Sequence, residues 1–263
     1  MQNYWHKQTK DQPLFPDMLW SRPENKQFAG KLLIIGGNAH GFAAPAEAYA
    51  ESIKAGIGTA RVLMPDVLQK TVGKLFEAGE FAPSNPSGGF AKQALGEVLA
   101  MAEWADGILL AGDFGRNSET AILLENLLEK YTGQLTITKD AVDYFTNSPR
   151  QILLRPTTTL VLSFAQLQKL AIQASFPKAF TFNIDLLRLV DLLHEFTEQY
   201  TVSLVTKHLN NIFVAANGQV SSTKLEKDLP IWRVKSAAHV SVWWLQNSSK
   251  VFEALTASVE SVE

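Results

Sequence analysis

Short apolar runs alternate with segments of helical spacing along most of this chain, and that alternation leaves few folds open to it. KLLIIGG (31–37) leads into PAEAYAESIKAG (45–56), a helix stopped by Gly56. TARVLMP (59–65) is a second strand, closed by Pro65. DGILLAG (106–112) precedes ETAILLENLLEKYTG (119–133), whose apolar residues recur at helical spacing as far as Gly133, and QLTITKDA (134–141) is the next strand. Parallel strands need crossover connections, and helices serving as crossovers cover both faces of the sheet. The expected class is therefore α/β: a mostly parallel central sheet with helices on both faces. Ligands of such sheets bind at the carboxyl ends of the strands, so the turns after strands are the places to search.

The rest of the chain is read in the same way. Residues 66–78 are expected as a helix, 82–89 as a loop, 90–104 as a helix and QILLRP (151–156) as a strand. FAQLQKLAI (164–172) and NIDLLRLVDLLHEFTEQY (183–200) are helices. VSLVTKH (202–208) and IFVAANGQV (212–220) are strands around LNN, with Asn217-Gly218 a turn signal, and 236–259 is largely helical. Residues 1–30 form an N-terminal arm whose Trp5, Phe15 and Trp20 are expected to cover a neighbouring surface. Residues 31–263 form a single domain.

An apolar fraction of 46% supports a substantial core, and a net charge of −2 points away from nucleic acid and anionic membranes as partners. The N-terminus lacks the apolar stretch of a secretory signal, no run approaches the ~18 apolar residues of a membrane span, and a cytoplasmic protein is expected. With no cysteine there is no thiolate chemistry and no disulfide. Five dispersed histidines without HExxH spacing argue against a dedicated metal site, and GxSxG is absent. The aromatic arm is a candidate subunit contact in a homo-oligomer.

Three turns invite chemistry. After Gly36 and Gly37 come Asn38, Ala39, His40 and Gly41, which make neither the GxGxxG fingerprint nor a Walker loop. This turn is either structural or faces a substrate. In GDFGRNSET (112–120), Ser118 or Asn117 can cap the following helix and leave its N–H groups near an anion, while Asp113 and Arg116 can equally be solvated. TITKDAV puts Lys139 and Asp140 at a strand end, where Asp140 either meets a ligand or caps a helix.

Together these segments resemble the ribokinase-like family of ADP- or ATP-dependent NAD(P)H-hydrate dehydratases, over roughly residues 22–257. RPENKQFAGKLLIIGGNAHGFAAPAEAYAESIKAGIGTARVLMP is similar to the family's opening, AGDFGRNSET to its GPGLGRxxET, and TKDAVDYF to its DADALNLL. ILLRPT falls where the family has LTPH, and VTKHLNNIFVAANGQV where it has a Lys-Gly-x-x-Thr hairpin. The resemblance implies a metabolite-repair lyase using ATP or ADP with Mg²⁺ on NAD(P)H hydrate. It places Ala44, Gly115, Thr157 and Asp140 on the substrate side, and Lys207, His208, Asn211 and Ala238 on the nucleotide side.

The departures fall on the motifs. The family's Gly-Thr/Ser-Gly-Asp, an anion hole and general base at the N-terminus of a late helix, is matched here by Ser236-Ala237-Ala238-His239. His239 thus stands at the catalytic Asp position. Thr157 replaces the histidine of LTPH, Thr138 the first Asp of DADA, His208 and Asn211 the Gly and Thr of the hairpin, and Asp113 a glycine. Three functions are consistent with this pattern. They are a divergent dehydratase, a non-catalytic homologue that binds a ligand or partner, and a kinase for another small hydroxyl substrate with His239 as base.

Overall fold

The strand Lys31–Gly36 (β2) buries five of its six residues, as a strand covered on both faces must. In the computed structural model, which describes residues 3–73, 76–227 and 229–261, it lies within a ten-stranded sheet. The other strands are Trp5–Gln8 (β1), Thr59–Pro65 (β3), Gly79–Ala82 (β4), Gly107–Gly112 (β5), Gln134–Thr138 (β6), Thr158–Ser163 (β7), Ser203–His208 (β8), Asn211–Ala216 (β9) and Gln219–Lys224 (β10). Their spatial order is β1-β10-β9-β8-β7-β6-β5-β2-β3-β4. From β8 to β4 every neighbouring pair is parallel, and only β8-β9-β10 run antiparallel. Asn217 and Gly218, at φ 49° and 74°, make the tight β9–β10 turn that their identities announce.

One face of the sheet carries the helices Ala43–Lys54, Trp232–Gln246 and Val251–Glu260, the other Leu95–Trp104, Ser118–Lys130, Phe164–Gln173 and Leu186–Gln199. Among the described residues no helix is long and apolar enough to cross a membrane.

Three local expectations are corrected. The helix expected over 66–78 ends at Val72, residues 74–75 lie outside the described residues, and Gly79–Ala82 instead pairs with β3. QILLRP is not a strand: Pro149 opens a short helix to Leu153 that buries Ile152 and Leu153. The strand is the β-branched TTLVLS that follows, held between β6 and β8. Nor is the N-terminal segment simply an arm, since β1 extends the sheet beside β10. It is fastened by Trp5 Nε1 to Ser222 Oγ (3.0 Å) and by Gln8 Nε2 to Thr223 Oγ1 (3.1 Å). Phe15 packs edge-on against Phe252, but Trp20 is 88% exposed and covers nothing.

Candidate functional site

The carboxyl ends of β2 and β5 approach so closely that side chains do not fit between them. A Cβ on Gly36 would lie 2.4 Å from the Gly112 carbonyl oxygen, and one on Gly112 would lie 2.7 Å from Lys139 Cβ. The pairing slips by one residue here, and Gly37 N–H donates to the Gly112 carbonyl at 3.1 Å. Gly36 of LLIIGG is accounted for by this packing of strand against strand, and Gly37 by its φ of 92°, which favours glycine.

Beyond the glycines, the side chains of Asp113, Lys139 and Asp140 tie the ends of β5 and β6 together. Asp113 and Lys139 both hold the left-handed backbone region, at φ 60° and 53°, which costs a non-glycine residue about 1–3 kcal/mol and marks positions fixed by their surroundings. Asp113 Oδ1 accepts from Lys139 Nζ at 2.6 Å, and its Oδ2 accepts from Ala44 N–H at 2.7 Å in the first turn of the Ala43–Lys54 helix. A carboxylate already occupies that positive helix end. Asp140 does not cap its own helix; its oxygens accept from the N–H groups of Asp113 (2.7 Å) and Gly115 (3.0 Å). Burial pushes the Asp140 carboxyl up from its ordinary range, opposed by those two N–H bonds and by Lys139. Asn38 Nδ2 donates to the Asp113 carbonyl, and Asn117 caps Ser118–Lys130, as expected of it.

The third part of the site lies at the end of β7. Ser163 and Gln166 form a capping box, and Gln166 then spans the cleft. Its Nε2 donates to the Lys139 carbonyl (2.7 Å), and its Oε1 accepts from Arg233 Nη1 (3.0 Å). Burial lowers the Arg233 pKa, countered by the charges of Asp143 and Asp140. Arg233 lies in the first turn of Trp232–Gln246, beside a pocket of about 190 Å³ that Lys139 also lines. Two cations and a helix N-terminus thus meet in one cavity, an arrangement suited to an anion. Sequence reading missed Ser163, Gln166 and Arg233, although Ser163-x-x-Gln166 is a legible capping signal.

Ala44, Gly115 and Asp140 are brought together through Asp113 at the strand ends. Thr157 is not: it precedes β7 at the amino end of the sheet, where its hydroxyl donates to the Thr132 carbonyl. Lys207 lies at the carboxyl end of β8 opposite Ser163. His208 packs against Phe164, with ring centroids 4.5 Å apart and the rings tilted by 33°, and pairs across the hairpin with Asn211.

The largest displacement concerns Ser236-Ala237-Ala238-His239. The helix starts at Trp232, after a left-handed Ile231, so these four residues lie inside it, and all are buried. No anion hole forms there, because interior helical N–H groups are bonded within the helix. His239 faces Glu51 of the neighbouring helix, Nε2 to Oε2 at 3.1 Å, and its Nδ1 is 2.7 Å from Ser261 Oγ.

Burial lowers the His239 pKa from its ordinary 6.5, against the opposing pull of Glu51. Burial raises that of Glu51, but hydrogen bonds from Lys54 and His239 outweigh it and hold the carboxylate below 4.5. For both groups the unfolded chain binds protons more readily. Stability contributed by the pair is complete above about pH 6.5. It falls as His239 and then Glu51 are protonated on acidification. Urea titrations from pH 7 to 4 should show this fall, with a shallower slope between pH 6.5 and 5 for His239→Gln.

No family model and no curated protein sequence matches the chain. Solved structures do. A ribokinase-like superfamily protein from Enterococcus faecalis superposes with a TM-score of 0.73 at 14% identity, over 99% of this chain and 86% of that one. A hypothetical protein from Streptococcus mutans gives 0.67 at 16% identity, over 94% and 87%. The ADP/ATP-dependent NAD(P)H-hydrate dehydratase of Bacillus subtilis, co-crystallised with ATP and Mg²⁺, gives 0.61 at 10% identity, over 90% and 79%. At these identities the likeness is one of fold, and the fold is ribokinase-like.

Proposed function

We propose that this ribokinase-like chain binds an adenine nucleotide at the strand ends and does not dehydrate NAD(P)H hydrate. The observation that carries the reading is the small cavity where Lys139 and Arg233 meet the N-terminus of Trp232–Gln246. A phosphate fits the charge and the donors of that cavity, and Arg233 and Lys139 would hold it. The solved dehydratase of the same fold, crystallised with ATP and Mg²⁺, supports a nucleotide as the bearer of that phosphate. Among the described residues no cluster of three His, Cys, Asp or Glu could hold a metal, so a divalent cation would be carried by the nucleotide's own phosphates.

The chemical half of the reading rests on the carboxylates. Asp113 and Asp140, which face the cleft from β5 and β6, each have both oxygens engaged by protein donors. A general base must reach the proton it removes, and each carboxylate would have to do so beside the protein donors it already serves, which lower its basicity. His239, the residue matched to the family's base, is buried with both ring nitrogens bonded elsewhere.

Calorimetric titration with ATP and with ADP in Mg²⁺ is expected to show saturable binding. Arg233→Ala and Lys139→Ala should each weaken it about 10-fold, roughly 1.4 kcal/mol. The unmodified protein should not turn over NADPH hydrate. Absence of binding overturns the nucleotide assignment; turnover overturns the loss of chemistry.

A further inference from the structure

On the outer side of the Ala43–Lys54 and Trp232–Gln246 helices, away from the strand-end cleft, three side chains form a hydrogen-bonded chain. Ser261 Oγ is 2.7 Å from His239 Nδ1, and His239 Nε2 is 3.1 Å from Glu51 Oε2. Glu51 and His239 are buried, each with a side chain only 5% exposed, whereas Ser261 is exposed. All three line an open polar pocket of about 400 Å³. We propose that this pocket is a second site, a serine hydrolase site for small anionic carboxylic esters.

Proton positions follow from the partners. An ionised carboxylate can only accept, so Glu51 fixes the imidazole proton on Nε2 and leaves the Nδ1 lone pair facing Ser261. The serine hydroxyl also lies 2.7 Å from the Ser258 carbonyl, a competing acceptor. Donation there would set the hydroxyl oxygen's lone pairs against that of Nδ1, so the arrangement favours donation to the ring. The nitrogens are used in the reverse order from a chymotrypsin-type triad, but the roles of nucleophile, base and orienting carboxylate are filled.

The chemistry is balanced without a cofactor. Ser261 Oγ attacks the ester carbonyl carbon as its proton passes to Nδ1. The tetrahedral intermediate collapses, and the departing alkoxide takes that proton, leaving the acyl group on Ser261. Water then attacks the acyl-serine and gives its proton to Nδ1, from which Ser261 Oγ recovers it. One ester and one water become one acid and one alcohol.

Substrate class follows from the pocket's charge. Arg22, Lys54 and Lys235 line it. Lys54 pairs with Glu51 at 2.6 Å and keeps a side chain 66% exposed; Lys235 is 3.6 Å from Glu47 and 3.9 Å from Glu51. Arg22 bonds the Ala55 carbonyl and lies over the Trp243 ring. Three cations against Glu47 and Glu51 leave a net positive field, which favours an anionic ester and stabilises a developing oxyanion.

The test is labelling of the full-length protein with a fluorophosphonate probe, followed by peptide mass spectrometry, alongside hydrolysis of mono-4-nitrophenyl succinate and neutral 4-nitrophenyl acetate. The label is expected on Ser261. Ester hydrolysis should fall about 100-fold or more in Ser261→Ala and in His239→Gln. Ser261→Ala removes only a hydroxyl at a helix end, and an unchanged melting temperature would confirm its fold. The anionic ester should be preferred by about 10-fold in kcat/KM, a preference reduced in Lys235→Gln and at high salt. Equal hydrolysis by Ser261→Ala and the unmodified protein, or no label on Ser261, overturns the site. Equal rates on the two esters overturn the substrate class.

Discussion

Replacing Asp140 with alanine is expected to destabilise the protein by about 3 kcal/mol and to loosen the strand-end cleft. Its carboxylate receives the N–H groups of Asp113 and Gly115, and both donors are left without that acceptor in the alanine variant. A buried donor left unpaired costs roughly 1–3 kcal/mol. Removing a carboxyl whose ionisation burial already opposes recovers part of this, but two orphaned donors outweigh it. Asp113 also depends on this anchor for its left-handed backbone, and from there it presents one oxygen to Ala44 and the other to Lys139. Urea unfolding should show a lower midpoint at unchanged m, and nucleotide binding should weaken in the same variant. Asp140→Asn keeps one acceptor and should fall between. A variant within about 0.5 kcal/mol of the unmodified protein would show that the anchor is not needed.

Gly36→Ala should cost a similar amount, about 3 kcal/mol, for a different reason. The added methyl would lie 2.4 Å from the Gly112 carbonyl, which is backbone and itself receives the Gly37 N–H. Neither strand can yield without disturbing the pairing of β2 with β5 at the centre of the sheet. Gly41 is the internal control: a Cβ there meets nothing within 4 Å, so Gly41→Ala should stay within about 0.5 kcal/mol. Equal losses at the two positions would mean that sensitivity belongs to the whole loop and not to the contact between strands.

Much of this architecture was legible in local pattern. KLLIIGG and DGILLAG are strands because runs apolar on both faces are stable only when covered twice, QLTITKDA because its Leu and Ile alternate with β-branched Thr, and ETAILLENLLEK is a helix because its leucines line one face. The Asn117 cap and the Asn217-Gly218 turn belong to the same class, being local chemistry with local consequences. QILLRP shows where local pattern stops. Its apolar residues suit strand or helix, and the matter is settled by the better β-forming TTLVLS two residues later, which takes the place between β6 and β8.

The candidate site follows the same division. Sequence placed Lys139 and Asp140 at a strand end, and the family resemblance put Ala44 and Gly115 on the substrate side. It could not show that Asp140 would serve the N–H groups of the β5 turn, because that bond joins segments about 25 residues apart. It placed Ser236–His239 at a helix start, but the helix opens at Trp232, where Ile231 turns left-handed with no glycine to announce it. That shift takes His239 from the cleft to Glu51 and Ser261, and gives the cleft Arg233 instead. By itself the sequence determined the parallel α/β sheet, since burial on both faces is written in hydrophobic period. Only the tertiary structure decided which polar groups meet, because hydrogen-bond partners are set by the packing of distant segments and leave no local trace.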